Sequence, residues 1–259
     1  EVDFEEIKWI AVADGHIAIL SGPSIDIFPQ PMRRRPRGLR RSRGRLLTVL
    51  DGESLEKVWE VRREQGPDEF DPRSAAIDHG RLFIATDGSE GSGEDVIGNK
   101  EVKRRGLNAA QLISTDVTAE AYRLTDGTPQ WQRATNIERR QYNVTYEGDT
   151  ILRHPVVGYA MAGLYIISGT EDNRVVMLAQ EDGQLVRTED QRGGRFGRKQ
   201  FCYFYYKDLL WKEDFTGVDP VTGEERLRAS GSVGGCGHLT AAPQGIVGRW
   251  RRAGENHRQ

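Results

Sequence analysis

The chain has 259 residues, of which 37% are hydrophobic, 29% are charged and 30 are glycine, and its formal net charge is −2. This length allows one large all-β domain or two ordinary domains, and the many glycines favour turns over long helices. The near-neutral charge provides no global field to recruit nucleic acid, and no apolar run approaches the ~20 residues that span a bilayer. The first residues, EVDFEEIKWI, lack the basic start and apolar core of a signal peptide.

A short apolar run, a tight turn and an alternating apolar run recur along the chain. This pattern predicts β-hairpins, because pairs such as Asp14-Gly15 and His79-Gly80 supply the positive φ that tight strand reversals need. The copies are WIAVADGHIAIL at 9–20, SAAIDHGRLFIAT at 74–86, PVVGYAMAGLYIISG at 155–169, HLTAAPQGIVGR at 238–249 and a glycine-free version, CYFYYKDLLWKE, at 202–213.

A second pattern follows the hairpins: an apolar strand, a turn that contains glycine, and a short strand. Two such hairpins in ~40–45 residues predict a four-stranded antiparallel blade of a β-propeller, whose faces are buried only by neighbouring blades. We therefore expect residues 1–259 to form one all-β propeller domain, or a fragment of one, with four to five blades in a whole or partial ring. The copies are LLTVLDGESLEKVWEV at 46–61, AYRLTDGTPQWQR at 121–133, VVMLAQEDGQLVRTE at 175–189 and TGVDPVTGEERLR at 216–228, with turn glycines at Gly52, Gly127, Gly183 and Gly223.

Two segments between predicted strands carry unusual charge, and we expect loop insertions near 23–45 and 87–107. PMRRRPRGLRRSRGR at 31–45 holds eight arginines, from Arg33 to Arg45. It is either a site for an anionic ligand or a solvated insertion, and without interleaved aromatic residues it does not suit single-stranded nucleic acid. TDGSEGSGEDVIGNKEVKRRG at 86–106 is acidic and then basic, which favours a loop. Its weak calcium candidates are Asp87, Glu90, Glu94 and Asp95.

The segment RHPVVGY at 153–159 places Arg153, His154 and Tyr159 at the start of a predicted blade. Arginine can neutralise a carboxylate while histidine or tyrosine moves a proton, a combination that suits a polysaccharide lyase at the mouth of a propeller channel. A packed blade edge is the alternative interpretation of these three residues.

The units LDGESLEKVW and LTDGTPQW resemble the PQQ-type, or quinoprotein-like, propeller repeat. The segment at 202–245, from CYFYYKDLLWKE to GCGHLTAAPQG, resembles one that is common in PQQ-like propeller proteins of environmental bacteria. In that family a tryptophan at the end of each unit packs between neighbouring blades. The resemblance implies this blade-docking role for Trp59 and Trp131, with Val186 and Leu227 replacing tryptophan in the later units.

Cys202 and Cys236 are the chain's two cysteines, and they hold matching places in adjacent predicted blades. A disulfide between them and two buried free thiols are the alternatives. Cys236 and His238 share one face of a strand, but a zinc site needs at least three protein ligands, so we expect His238 to be structural.

The resemblance implies a fold more than an activity, because this fold carries many functions. PQQ-dependent dehydrogenases of this type carry adjacent cysteines and a calcium ion held by Glu, Asn and Asp. Since the cysteines here are far apart, we expect neither PQQ nor calcium. The expected function is a non-catalytic binding or scaffold module for a protein or glycan, in an exported bacterial protein or assembly of the periplasm or exterior. The alternatives are a carbohydrate-active enzyme of the lyase type and a quinoprotein dehydrogenase.

Overall fold

The computed structural model describes residues 6–22, 44–64, 69–95, 111–145, 149–153, 156–169, 174–190, 203–212, 216–228, 239–242 and 245–248. Within these ranges the backbone forms strands and turns and no helix. The strands are short and closely spaced along the chain, as its alternating apolar runs and turn residues predict.

The strands form sheets in which neighbours in sequence are also neighbours in space. Blade 1 contains β1 (Glu6–Ala13), β2 (His16–Gly22), β3 (Leu46–Asp51) and β4 (Lys57–Arg62). Blade 2 contains β5 (Phe70–Asp78), β6 (Arg81–Asp95), β7 (Gln111–Arg123), β8 (Pro129–Thr145) and β9 (Asp149–Arg153).

Two further sheets and a hairpin follow. Blade 3 contains β10 (Val156–Met161), β11 (Leu164–Gly169), β12 (Arg174–Ala179) and β13 (Leu185–Asp190). Blade 4 contains β14 (Phe204–Tyr206), β15 (Leu209–Trp211), β16 (Thr216–Val218) and β17 (Glu225–Arg228). The hairpin contains β18 (Leu239–Ala242) and β19 (Gly245–Gly248).

Consecutive antiparallel sheets of this kind, four-stranded in blades 1, 3 and 4 and five-stranded in blade 2, are the blades of a β-propeller, so the predicted fold class is confirmed. Four sheets and the opening hairpin of another lie in the described part of the chain, which agrees with the predicted four to five blades. The chain divides into two compact units. The first comprises residues 1–160 and 165–192, and the second comprises residues 161–164 and 193–259.

In the first unit, consecutive blades stack face to face. One apolar cluster joins blade 1 to blade 2, with Leu20 and Leu47 packed among residues such as Leu82. A second cluster joins blade 2 to blade 3, where Phe83 stacks on Tyr165 with ring centroids 5.2 Å apart. Because successive side chains of a strand point to opposite faces, one blade can serve both neighbours. Blade 2 therefore contributes Leu82 to one cluster and Phe83 to the other.

The turns between the third and fourth strands correct one sequence prediction. The backbone nitrogens of Gly127, Gly183 and Gly223 each donate to the carbonyl four residues earlier, and in blade 1 the matching donor is Leu55. All four have positive φ, with +59° at Leu55 and 71–74° at the glycines. Gly52 lies in the β3–β4 turn, as predicted, but it does not hold the position of the other three glycines. Its nitrogen instead donates to the carbonyl of Gly15 at 2.7 Å.

The structure also differs from the loop predicted near 87–107. Residues 87–95 continue β6 and pair with the first half of β7. Their glycine and acidic residues favour a loop locally, but antiparallel pairing gives the backbone groups hydrogen-bond partners and outweighs that preference. Residues 96–107 and 23–43 lie outside the described residues.

Candidate functional site

The structure separates the residues predicted for lyase chemistry between two strands. Arg153 is the last residue of β9, and Tyr159 is a half-buried residue of β10. His154 lies outside the described residues. The catalytic role of these three residues therefore stays a prediction.

The calcium candidates lie along one strand. Asp87, Glu90, Glu94 and Asp95 all belong to β6, where their backbones pair with β7. In the ranges that the structure describes, no three His, Cys, Asp or Glu side chains are grouped as a metal site requires. Cys202, Cys236 and His238 lie outside those ranges, so the disulfide also stays a prediction.

Of the arginine-rich segment 33–45, the structure describes only Arg45 together with Gly44. The Nε of Arg45 donates a hydrogen bond to Oε1 of the fully buried Glu69 at 2.6 Å. This arginine is therefore part of the junction between blades 1 and 2. The other seven arginines of the segment lie outside the described residues, and their anion-binding role stays a prediction.

Trp59 of β4 packs at the junction of blades 1 and 2. Its Nε1 donates a hydrogen bond to the carbonyl oxygen of Leu124 at 2.6 Å, and its ring stacks on Tyr122 with centroids 6.2 Å apart. A Cβ atom added to Gly127 would lie 2.7 Å from the indole ring. Glycine at this turn thus makes room for the tryptophan of the preceding blade, and it also suits the positive φ there.

Trp131 of β8 repeats this arrangement at the junction of blades 2 and 3. Its Nε1 donates to the carbonyl oxygen of Gln180 at 2.9 Å, and a Cβ added to Gly183 would lie 2.6 Å from its ring. The ring also packs near Phe83 and Tyr165. The tryptophan of one blade and the turn glycine of the next therefore form a docking pair. This pair occurs twice in the first unit.

Strand pairing shows which residues replace tryptophan in the later blades. Trp59 and Trp131 pair with Val49 and Ala121, each just before a shift in register. Blade 3 has the same shift, and the residue before it is Arg187 rather than the predicted Val186. Spacing gives the same answer, because Arg187 follows Gly183 by four residues, as Trp131 follows Gly127. In blade 4 the position is Leu227, as predicted.

A buried polar cluster completes the junction of blades 1 and 2. A guanidinium nitrogen of Arg63 lies 2.9 Å from both Glu120 Oε2 and the Tyr122 hydroxyl, which itself donates to Glu120. Gln132 donates to the other carboxylate oxygen at 3.2 Å. Burial, with the Glu120 charge adding to it, raises the pKa of Tyr122 well above its usual range. The hydroxyl therefore stays protonated, and the cluster serves cohesion rather than proton transfer.

Exposed apolar side chains are concentrated on one face of blade 1, the face that points away from blade 2. In blades 2 and 3, the equivalent face receives the docking tryptophan of the preceding blade. The centre of this face is buried, with Ile19, Thr48 and Leu50 below 8% exposure. Its margins on β1, β4 and the β3–β4 turn are 41–72% exposed. These residues, which we call the blade 1 margin, are Ile7, Ile10, Val12, Leu55 and Val58.

Sequence reasoning missed a bulge in β5. Asp71 pairs with Ala85 and Ala76 pairs with Phe83, so four residues of β5 stand opposite Ile84 alone. The signal was the Asp71-Pro72 step, because proline inside a strand usually marks an edge or a bulge. Arg73 is the one exposed residue between Phe70 and Ala75.

No described segment forms a helix that is long and apolar enough to cross a membrane. No protein-family model matches the chain, and no curated protein matches it.

Several solved structures resemble it. A europium-containing methanol dehydrogenase has a TM-score of 0.43 and 10% identity over 83% of this chain and 40% of its own. A quinohemoprotein alcohol dehydrogenase from Pseudomonas putida HK5 has a TM-score of 0.39 and 13% identity over 83% of this chain and 33% of its own. The β-propeller domain of Myceliophteria thermophila Cps50 (Swd1) has a TM-score of 0.31 and 9% identity over 83% of this chain and 65% of its own. The chain thus spans less than two thirds of each of these proteins, and its fold assignment rests on the sheet order and blade stacking described above.

Proposed function

We propose that the chain is a non-catalytic binding or scaffold module of an exported bacterial protein or assembly. Its binding surface in this proposal is the blade 1 margin. The observation that carries the proposal is that five large apolar side chains stay exposed on one face of one blade. Grouped apolar residues on a protein surface mark interaction sites, whereas single ones need no explanation.

The partner in this proposal is a protein that packs the edge of a β-sheet against the margin, around the already buried centre of this face. The support comes from the repeat itself, since the equivalent faces of blades 2 and 3 are covered by the sheet of a neighbouring blade. The partner sheet carries no docking tryptophan, because Leu55 fills the place that Gly127 and Gly183 leave empty for one.

Leu55 supports the same proposal by its conformation. It has a φ of +59° and is exposed, whereas blades 2, 3 and 4 have glycine at the matching turn position. A bulky residue at positive φ costs about 1–2 kcal/mol. An exposed leucine that carries this cost is explained if its side chain contacts a partner.

The test places a photo-crosslinking amino acid at Val12 or, as a control, at Leu185, which is another well exposed apolar residue, in blade 3. In the native host we expect a crosslinked protein at Val12, and we expect its yield to fall at least fivefold when Ile10 is also changed to Lys. Mass spectrometry of the adduct identifies the partner, including a second copy of this chain. Equal adducts at both positions, or none at Val12, would contradict the proposal.

A further inference from the structure

The bulge of β5 is fixed by hydrogen bonds within its own blade. Asp71 Oδ1 accepts from the backbone nitrogen of Arg73 at 3.0 Å. The Ser74 hydroxyl donates to the Asp71 carbonyl and accepts from the Ala85 nitrogen, both at 2.7 Å. Asp71 and Ser74 are themselves buried, at 5% and 0% exposure. The backbone that carries Arg73 is therefore held on both sides.

Blade 3 fixes the same bulge from the neighbouring sheet. The Val156 nitrogen donates to Asp71 Oδ2 at 3.0 Å, and the Tyr165 hydroxyl donates to the Ser74 carbonyl at 2.8 Å. A Cβ atom at Gly158 would lie 2.2 Å from that carbonyl oxygen, so glycine is needed for this approach. Burial raises the pKa of Tyr165 far above its usual range, which keeps its hydroxyl available as a donor.

Arg73 lies in this hydrogen-bonded bulge, and its side chain has no partner among the described residues. Among the residues that the structure describes, its guanidinium has no hydrogen-bond or ion-pair partner, and Arg73 is exposed while its neighbours from Phe70 to Ala75 are buried. The nearby carboxylates are already engaged, Glu69 with Arg45 and Asp71 with two backbone nitrogens. Among the described residues neither carboxylate forms an ion pair with Arg73, so the guanidinium donors of Arg73 are available to another group.

We propose that Arg73, held outward by the β5 bulge, is an anion-binding residue for an oxyanion ligand such as a carboxylate, phosphate or sulfate group. A guanidinium is always charged and presents a planar fork that matches these groups with two parallel hydrogen bonds. Bulges re-aim side chains and are enriched beside binding sites. β5 is the first strand of its sheet and contacts β1, the first strand of blade 1. This inference does not depend on the blade 1 margin.

The experiment is calorimetric titration of the whole chain at low ionic strength with three probes: an oligogalacturonate, inorganic phosphate and inorganic sulfate. We expect at least one probe to bind the native chain and Arg73→Gln to weaken that binding at least tenfold, while Arg73→Lys retains part of it. The probe that binds best identifies the oxyanion class. The matched control is Arg81→Gln, which removes the same charge at the other end of the β5–β6 hairpin and should leave binding within about twofold.

Ser74→Ala tests the bulge itself, because it removes the hydroxyl that holds Asp71 and Ala85 while leaving the arginine in place. We expect it to weaken binding at least threefold in protein that circular dichroism shows to be folded. No binding of any probe, equal weakening by Arg73→Gln and Arg81→Gln, or native affinity in Ser74→Ala would overturn the proposal.

Discussion

At the scale of single residues, the backbone angle at one turn position separates blade 1 from the other blades. Gly127 and Gly183 adopt positive φ and leave space for a tryptophan, whereas Leu55 adopts it at a cost and fills that space. The same turn position therefore has opposite roles. In blades 2 and 3 its glycine leaves room for the tryptophan of the preceding blade, and in blade 1 its leucine side chain is exposed on the surface.

Leu55→Gly should stabilise the isolated chain by about 1 kcal/mol, because it relieves the positive-φ strain. It should also reduce the Val12 crosslink at least threefold, because it removes an apolar contact of the proposed interface. The control is His79→Gly, another exposed residue at positive φ, which should stabilise the chain similarly and leave the crosslink unchanged. Urea denaturation and adduct yield are the two measurements. Loss of stability in Leu55→Gly, or an unchanged crosslink, would show that strain and binding are not linked at this residue.

At the scale of the elements, the alternating apolar runs and glycine turns are sufficient to predict the hairpins and their grouping into four-stranded sheets. Positions that depend on pairing partners are not predictable in this way. The bulge of β5 arises from register, which a single strand does not encode. The extension of β6 to Asp95 likewise depends on its pairing with β7.

The candidate sites were less predictable than the elements for the same reason. Trp59 and Trp131 stand out in the sequence, and the family resemblance assigned them a docking role. Gly127 and Gly183 were read only as turn glycines, because the space that they leave for an indole belongs to the adjacent blade. Arg73 carries no motif, and the bulge that presents it depends on contacts with β10 and β11.

The polar cluster between blades 1 and 2 predicts a loss of stability in alkaline solution. Burial raises the pKa of Tyr122 in the folded chain above its ordinary value of about 10, so the unfolded chain loses this proton first. The contribution of Tyr122 is fully present below pH 10 and falls above it, by roughly 1.4 kcal/mol per pH unit. Tyr122→Phe should show a correspondingly shallower decline of unfolding free energy between pH 10 and 11. Parallel declines for both proteins would exclude this role.

At the scale of the whole molecule, each blade depends on its neighbours to bury its two faces. This explains why one pattern recurs along the chain, and it also explains why an exposed apolar margin on blade 1 suits a binding surface. A partner at the margin would contact the exposed edges of this face, whose centre is already buried. Within the first unit, the central claim is that blades dock by fitting the tryptophan of one blade against the turn glycine of the next.

A double-mutant cycle between Trp59 and Gly127 tests that claim most directly, with unfolding free energies measured in urea. Gly127→Ala should cost about 3 kcal/mol in the native chain, from strain at positive φ and from overlap with the indole. Gly80→Ala, whose Cβ would meet no atom within 4 Å, should cost only the backbone part of about 1 kcal/mol. In a Trp59→Leu background the cost of Gly127→Ala should fall to that of Gly80→Ala, a coupling of about 2 kcal/mol. Equal costs of Gly127→Ala with and without Trp59 would contradict the account.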